Sequence, residues 1–302
     1  MPSPAKPTRK PAKSKARPIT VLRADSFSGL PWLVHGFSTR IGGVSTSYGG
    51  KSLNLGTLSH DTQENVERNR ELFVKAIDAM NDAASPWPLA QVQQIHSAII
   101  HRVDAIPGQT ATGDGMITNA PGLLLAIKTA DCVPVLIADA KRRVVGAFHA
   151  GWRGTVARIV EKGVGEMRRQ FGSHPRDLRA GIGPCIRKCC YRVGEELRAE
   201  FESQFTYAGE LFEEVFDSNA IHLKYPMLFL NQRAPGHGEP ALEIHLDLVA
   251  ANRHQLEDAG MPPANISVID GCTACDTRRF FSHRAESGNT GRMMAVIGIK
   301  PQ

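Results

Sequence analysis

Runs of apolar residues in the middle of the chain predict strands that are buried on both faces. Residues 123–127, 133–138 and 144–148 are almost entirely apolar and are separated only by short polar segments. Shorter apolar segments predict further strands at residues 21–22, 32–37, 92–103, 266–270 and 293–299. The strand predicted at 92–103 would carry His96. Much of the chain is therefore expected to form sheet.

Apolar residues at helical spacing predict four helices. The first follows Asp61 and Glu64, which together form a capping box at a helix start. A second follows the glycine-bordered turn at 151–154, and two more are expected at 195–205 and 246–259. The apolar stripes of the first two helices are Val66, Phe73, Ile77 and Met80, and Val156, Ile159, Val160, Val164 and Met167.

The order of these elements indicates the fold class. Strands and helices mix along the chain without strict βαβ alternation, and no change in composition marks a second folded domain. We expect an α/β fold, with α+β also compatible, built on a mixed β-sheet flanked by helices. Residues 38–45 and 235–240 are expected to be loops. The predicted boundaries are a disordered basic tail at 1–18 and a single domain at 19–302.

The net charge of +6 is confined to the start of the chain. Six of the 36 basic residues lie in residues 1–17, which contain no acid, and the remaining basic residues equal the 30 acidic ones in number. Such a Lys- and Pro-rich segment cannot bury a core and is expected to be a solvated tail. The neutral body gives no electrostatic reason to expect nucleic acid as a partner.

Composition excludes several other classes of protein. Of the 302 residues, 42% are hydrophobic and 22% charged, which is ordinary for a globular enzyme and not for a collagen-like, coiled-coil or wholly disordered chain. No apolar run of about 18 residues is present, so no membrane span is expected. The N-terminal segment lacks the apolar core of a secretory signal. Six cysteines without such a signal favour reduced thiols and a cytoplasmic location.

Polar residues at the ends of the buried strands form the strongest candidate site. Asp131 and Cys132 lie between two apolar strands, and His149 ends a third. A buried carboxylate at such a junction is costly unless it has a partner. Together with His96, these residues supply two imidazoles and one thiol, a donor set of catalytic zinc sites that keep an open fourth position. Taken singly, each of the three donors is more often a core residue than a ligand.

Short motifs occur along the chain in a specific order. They are LVHGFSTRIGGVS, SLNLG, QQIHS, GDGMITN, LAIKTADCVPVLIAD, VVGAFHAGWRGT, GIGPC, CCYRVG, CTAC, FFSHR and TGRMMAVI. With these motifs the chain closely resembles the YfiH/laccase-domain family of purine nucleoside phosphorylases, from about residue 33 to residue 299. The combination of TADC with HAGWRG is the most specific part of the match.

The resemblance implies a YfiH-like catalytic domain with a bound zinc ion. Its ligands would be His96, Cys132 and His149, from the Gln-x-His, Ala-Asp-Cys and His-Ala-Gly-Trp motifs. The family is associated with phosphorolysis of adenosine, inosine and methylthioadenosine, and with deamination of adenosine. The expected partners are therefore purine nucleosides and phosphate, with no nucleic acid and no membrane, and we expect a monomer. Other residues within matched motifs are Asn54, Asp114 and Arg292.

This interpretation suggests roles for individual residues. In deamination, zinc would lower the pKa of a bound water toward about 7, and Asp131 is expected to pass a proton to the departing ammonia. In phosphorolysis, zinc together with Arg40 or Arg153 is expected to hold the phosphate, because a planar guanidinium matches its geometry. Asn54 is the third expected substrate-binding residue. The expected catalytic residues are Cys132, Asp131 and His149.

Three other interpretations remain open at this point, and the weakest is a non-catalytic interaction protein, which has no need of Cys and His at the ends of buried strands. Cys132 as nucleophile and His149 as base, with Asp131 nearby, would suit a cysteine hydrolase or amidase acting on a peptidoglycan precursor. A copper-dependent polyphenol oxidase is the second alternative, because His and Cys ligands also bind copper. Multicopper oxidases usually supply their ligands from repeated His-x-His pairs, and this sequence contains none. The oxidase is therefore disfavoured.

Four further cysteines allow a second metal site to be considered. Cys272 and Cys275 form a Cys-x-x-Cys motif that could join Cys189 and Cys190 around a structural zinc ion. A single motif of this kind is a weak signal, so buried packing or a position near the active site is the favoured interpretation. Many relatives read GPCCY where this chain reads GPCIRKCCY. The role of this longer loop in substrate selection stays open.

Overall fold

The computed structural model describes residues 18–106, 108–216 and 242–301. The predicted tail, apart from residue 18, and the predicted loop at 235–240 lie outside the described residues. The strands are β1 (Val21–Leu22), β2 (Leu33–Ser38), β3 (Ile41–Ser45), β4 (Leu89–Ala90), β5 (Ile100–Arg102), β6 (Gly115–Thr118), β7 (Leu124–Thr129), β8 (Val133–Asp139), β9 (Val144–Ala150), β10 (Leu178–Ile182), β11 (Arg192–Val193), β12 (Phe212–Phe216), β13 (Leu242–Leu246), β14 (Ile266–Val268) and β15 (Met293–Ile299). The helices are α1 (Gln63–Ala76), α2 (Trp152–Val156), α3 (Ile159–Phe171), α4 (Glu195–Gln204), α5 (Ala208–Leu211) and α6 (Leu248–Asp258). None of these helices is both long and apolar enough to cross a lipid bilayer.

Most of these strands belong to three sheets. The first has the order β1-β2-β15-β7-β4, the second β14-β10-β8-β9-β6-β5, and the third β11-β13-β12. Neighbouring strands are antiparallel except at three edges, where β4 runs parallel to β7, β5 to β6 and β14 to β10. The mixed α/β fold expected from the sequence is confirmed.

The two larger sheets pack face to face, and helices cover their outer faces. Leu125 of β7 and Leu136 of β8 belong to the core between the sheets. Leu124, the preceding residue of β7, packs instead with Phe73 of α1 on the outer face. Val135 of β8 faces the opposite outer core, beneath α3 and α6. Because successive strand residues point to opposite faces, both faces of these strands must be apolar, as the uninterrupted apolar runs predicted.

The prediction of a strand at 92–103 is wrong for most of this segment, because only Ile100–Arg102 forms a strand that pairs in a sheet. The three backbone N–H groups of residues 95–97 donate to the side chain of Asp114. His96 has a φ of 61°, in the left-handed region. Amides that bind a carboxylate are not available for a sheet ladder. His96 is therefore presented by a turn and not by a strand.

Several element boundaries also differ from the sequence prediction. The helix predicted after residue 154 is divided into α2 and α3, because Arg158 has a φ of 60° between them. The cap of α1 is Thr62, whose side chain accepts from the Asn65 amide, and not Asp61. The predicted loop at 38–45 contains β3. These differences arise from local side-chain bonds and tertiary pairing that apolar spacing does not report.

Candidate active site

Three adjacent strands of the six-stranded sheet, β6, β9 and β8, bring the main residues of the candidate site together at one end of these strands. Asp114 immediately precedes β6, Cys132 immediately precedes β8, and His149 is the next-to-last residue of β9. In the ladder, His149 lies opposite Pro134 of β8. The His149 amide also donates to the carbonyl of Asp114 at 2.8 Å. Residues far apart in sequence thus become neighbours through strand register alone.

The three predicted metal ligands converge at this end of the strands. Cys132 Sγ lies 3.7 Å from His96 Nε2, and the rings of His96 and His149 meet edge to face with centroids 5.0 Å apart. One donor atom from each of the three residues lies within 4.8 Å of the others. His149 is buried, Cys132 is half-buried and His96 is exposed. The group is therefore open to solvent on the His96 side, as an exchangeable ligand position requires.

Asp114 is the residue that fixes the geometry of both histidines. Its carboxylate is fully buried, and Oδ1 accepts from His149 Nδ1 at 2.8 Å and from the His96 amide at 3.0 Å. Oδ2 accepts from the Ile95 amide and from both the amide and the hydroxyl of Ser97. These bonds, led by the one from His149, hold the pKa of Asp114 well below its usual range despite burial. With Nδ1 donating to Asp114, Nε2 of His149 is left to act as the donor to a metal.

Charges within the group shift two pKa values in opposite directions. Burial disfavours the thiolate of Cys132, but His149 and then His96 outweigh it and lower the Cys132 pKa to about 6. Burial likewise disfavours the imidazolium of His149, but Cys132 and Asp114 together raise the His149 pKa to about 9. Both shifts favour a thiolate on Cys132 beside an imidazolium on His149. A thiolate is the form of cysteine that binds a metal or attacks an electrophile.

Gly151 leaves the space that the ligands occupy. A Cβ at this position would lie 2.7 Å from His96 Cδ2 and 3.1 Å from Cys132 Sγ. Its φ is −70°, which any residue can adopt. Glycine is therefore required by the close approach of the two ligands and not by backbone conformation.

The ligand group forms part of the wall of a cavity of about 520 Å³. This volume lies in the range of small-molecule sites. Lys128, Arg284 and Arg292 line the same cavity, together with Tyr191. Among the described residues that line it, Asp131 is the only carboxylate. The cavity therefore combines the three candidate metal ligands with an excess of positive charge.

Lys128 gives this cavity a positive charge suited to an anion. It interrupts the otherwise apolar strand β7 and is half-buried. Its ammonium group forms no ion pair with any residue of the described ranges, and burial, Arg70 and Arg292 lower its pKa. A half-buried cation with cationic neighbours is stabilised when an anion binds beside it.

The carboxylate of Asp131 is already occupied by protein donors. Oδ1 accepts from the Thr273 hydroxyl and Oδ2 from the Arg284 amide, each at 2.6 Å. Its φ of 93° places it in the turn between β7 and β8. Asp131 is thus beside Cys132, as the sequence indicates, but it connects that turn to the segments around residues 273 and 284.

Arg40 lies outside this cavity. Its guanidinium donates to the carbonyls of Thr277 at 2.6 Å and Tyr48 at 2.7 Å, pairs with Glu286 at 2.9 Å, and stacks over the ring of Phe281. It lines a separate cavity of about 570 Å³, in which none of the three candidate ligands takes part. The bonds of Arg40 hold the protein's own loops together.

Arg153 and Asn54, the other two predicted substrate-binding residues, are also absent from the wall of the cavity lined by His96, Cys132 and His149. Arg153 is exposed and stacks over Trp152. Asn54 is buried and donates to the Gly56 carbonyl at 3.0 Å, while its oxygen accepts from the Arg292 amide at 2.9 Å. Because Gly56 and Arg292 do line the cavity, Asn54 acts on it through the backbone of its neighbours.

Four residues of the site were not among the expected site residues: Lys128, Arg284 and Arg292 line the cavity, and Asp114 binds the two histidines beside it. Asp114 and Arg292 lie in matched motifs, but no spacing rule connects either with His149. Lys128 carried a usable signal, since a lone charge inside a buried apolar strand needs a reason. Arg284 in FFSHR carried no signal beyond its motif. Their common position depends on strands and loops that meet only in the folded chain.

Comparisons with known proteins identify the family of the chain. The profile of the family described as multi-copper polyphenol oxidoreductase laccase matches residues 34–300. A purine nucleoside phosphorylase of Deinococcus radiodurans is 37% identical over 287 residues, covering 93% of each chain. Adenosine deaminase RL5, from an unknown prokaryotic organism, is 36% identical over 184 residues and 61% of each chain. The crystal structure of YlmD from Geobacillus stearothermophilus superposes with a TM-score of 0.74 at 30% identity, covering 96% of this chain and 98% of that one. The chain is therefore an enzyme of the laccase-domain family to which the YfiH- and YlmD-type purine nucleoside phosphorylases belong.

Proposed function

We propose that this enzyme is a zinc-dependent purine nucleoside phosphorylase that also deaminates adenosine. One observation carries the proposal: the His96, Cys132 and His149 donors share a single cavity with Lys128 and other cations. Phosphorolysis requires a site for phosphate beside a site for the nucleoside, and this cavity offers both charge and volume. The names of the similar proteins supply the nucleoside class.

The donor set fits zinc. Two imidazole nitrogens and one thiolate match three-ligand zinc sites, and the Asp114 bond to His149 is the orienting contact that such sites use. When bound there, zinc supplies Lewis-acid chemistry to an oxygen of phosphate or water. The protein's own contribution is to hold His149 in the ligating tautomer and to keep Gly151 free of a side chain.

The cationic wall positions the phosphate. Lys128 and Arg292 place positive charge where a dianion must approach an electron-poor ribose, and such charge stabilises the transition state most when it is already in place. Burial and the nearby Cys132 raise the Tyr191 pKa to about 12, so its phenol stays a neutral donor. Asp131 holds Arg284 and the Thr273 loop against the cavity, and we assign it a positioning role.

Replacing Lys128 by Met tests the phosphate assignment. Removing one charge-assisted contact costs about 1.5–3 kcal/mol, which is about a ten- to hundred-fold loss in rate. We expect this loss in phosphorolysis of inosine, measured as hypoxanthine release with phosphate. Release of ammonia from adenosine without phosphate should change far less, because no dianion is held in that reaction.

Lys162→Met is the matched control, because Lys162 is exposed on α3, outside the cavity wall. It should leave both reactions unchanged. Equal losses of both reactions in Lys128→Met would show that this lysine holds the nucleoside or the fold. No purine release by the wild-type enzyme at any phosphate concentration would refute the proposed function.

A cysteine hydrolase remains the second candidate because the same side chains form a Cys-His-Asp arrangement. Cys132 has a lowered pKa, and His149 lies between it and a carboxylate. The orienting carboxylate in this arrangement is Asp114 and not Asp131. Inhibitors distinguish the two functions. A zinc enzyme loses activity when a chelator removes the metal, whereas a thiol hydrolase loses activity with iodoacetamide and is insensitive to the chelator.

Copper oxidation is less well supported by the ligands. Among the described residues, the groups able to hold a metal are His96-Cys132-His149 and a set of four cysteines. Neither resembles a multinuclear copper centre rich in histidine. Copper bound at the His/Cys site in place of zinc follows from the affinity order of divalent metals, and metal analysis of the purified enzyme distinguishes the two ions.

A further inference from the structure

Four cysteines outside the candidate active site meet at the protein surface. Cys189 and Cys190 follow β10, and Cys272 and Cys275 follow β14; we call this set the thiol cluster. Cys275 Sγ lies 3.2 Å from Cys190 Sγ and 3.5 Å from Cys189 Sγ. All four sulfur atoms lie within 4.8 Å of one another.

These distances suit one metal ion and not a larger cofactor. In a tetrahedral zinc site the Zn–S distance is about 2.3 Å, which places the sulfur atoms about 3.8 Å apart. The two separations given above are slightly shorter than this value, and no pair of sulfur atoms in the thiol cluster lies farther apart than 4.8 Å. An iron–sulfur cluster would hold its cysteine sulfurs farther apart, because several iron and sulfide atoms lie between them. The thiol cluster is thus the size of a mononuclear site.

Buried packing, one of the two favoured sequence interpretations, does not describe these residues; the other, a position near the active site, is compatible with Tyr191 beside Cys190. Cys189 and Cys275 are exposed, while Cys190 and Cys272 are half-buried. By contrast, Cys185 in the same loop is fully buried and belongs to the apolar core. Four thiols gathered at a surface do not gain the burial that keeps a cysteine in a core, so their convergence needs another explanation.

The backbone around the thiol cluster is held in place by bonds between its two loops. Cys185 and Cys272 form an isolated parallel bridge, and the Thr273 amide donates to the Cys185 carbonyl at 3.0 Å. Cys272 Sγ accepts from the Arg187 amide at 3.4 Å. An amide directed at a ligating sulfur is typical of structural metal–thiolate sites, in which outer contacts orient the ligands.

We propose that the thiol cluster binds one zinc ion as a closed structural site, separate from the His96-Cys132-His149 group. The thiols lose their protons as they coordinate, and four thiolates complete a tetrahedron without an open position. The loop between Gly183 and Tyr191 supplies the pair Cys189 and Cys190 and brings these two thiols to the Cys272-x-x-Cys275 loop.

Such a site would connect two walls of the active-site cavity. Tyr191, next to Cys190, lines that cavity, and Thr273, next to Cys272, donates to Asp131. Zinc in the thiol cluster would hold these walls at a fixed separation without taking part in the reaction. The inference does not rest on the proposed function, since the thiol cluster shares no ligand with the other site.

Metal analysis of the full-length protein, purified under reducing conditions without added metal, tests the proposal. The wild-type chain should carry about two equivalents of zinc, and Cys275→Ser and Cys132→Ser should each carry about one. Cobalt substitution of the Cys132→Ser protein isolates the thiol cluster. It should give the strong sulfur-to-cobalt charge-transfer bands and the red-shifted d–d bands of tetrahedral cobalt with four thiolates.

Each contrary result points to a different error. One zinc in the wild type that disappears in Cys132→Ser, with no thiolate bands from cobalt, would overturn the proposal. A Cys190–Cys275 disulfide in freshly purified, metal-poor protein would also overturn it and indicate a redox pair. If the zinc content falls in Cys275→Ser but equals that of the wild type in Cys132→Ser, the result would support zinc in the thiol cluster. It would refute the zinc assignment of the proposed function. If Cys275→Ser does not fold, the cobalt spectrum of Cys132→Ser decides alone.

Discussion

Replacing Asp114 by Asn should separate metal binding from folding. The substitution keeps the size of the side chain but exchanges one acceptor oxygen for an NH₂ group. In one orientation this NH₂ replaces Oδ2 and meets the amides of Ile95 and Ser97, so two backbone bonds are lost. In the other it replaces Oδ1 and meets the amide of His96 and Nδ1 of His149.

The second orientation costs less, because His149 can adapt. If Nδ1 becomes the acceptor, the ring proton moves to Nε2, and only the bond from the His96 amide is lost. A hydrogen bond to a charged group contributes about 1.5–3 kcal/mol, so the folded state should lose stability of this order. The exchange leaves His149 in the tautomer that cannot ligate a metal. Loss of such an orienting partner typically lowers metal affinity about 10–100-fold.

Zinc affinity, measured by competition with a chromophoric chelator, should therefore fall in Asp114→Asn while the protein stays folded by circular dichroism. Heteronuclear NMR of the histidine ring nitrogens should show the proton of His149 on Nε2. Asp139→Asn is the control: Asp139 is also fully buried, at the far end of β8, where only its Oδ1 has donors among the described residues. Unchanged zinc affinity in Asp114→Asn, with the proton still on Nδ1, would refute the reasoning.

Two further predictions concern His35 and Gly151. Burial, followed by Arg23, lowers the pKa of His35 to about 4, and its Nε2 accepts from the Ala24 amide. Below pH 6.5 His35 therefore binds a proton in the unfolded chain but stays neutral in the folded chain, so the free energy of unfolding should fall by up to about 3 kcal/mol as the pH decreases to 4. Urea unfolding at a series of pH values should show this fall, and His35→Gln should reduce the pH dependence. Gly151→Ala should weaken zinc binding, because the new Cβ would lie 2.7 Å from His96 Cδ2. The control Gly165→Ala on α3, where a Cβ would meet no atom within 4 Å, should leave zinc affinity unchanged. Equal zinc affinities of the two variants would mean that His96 moves aside without cost.

The apolar pattern determined the central strands because burial on both faces leaves no polar position. Met293–Ile299 has the predicted bounds, and Val133–Asp139 differs from its prediction by one residue. The pattern failed at 92–103, where residues 95–97 bind the Asp114 carboxylate and not a neighbouring strand. Apolar spacing cannot report such a bond, because its acceptor lies elsewhere in the sequence.

The chain by itself indicated the three candidate ligands, because Cys132 and His149 lie at the ends of apolar strands and all three residues lie in specific motifs. It did not determine which charged residues share their cavity. Arg40 is engaged by the protein's own carbonyls, while Lys128 of β7 lines the cavity without an ion pair to any residue that the structure describes. Which cation stays free depends on what packs around it after the two sheets meet, and that is a property of the tertiary structure.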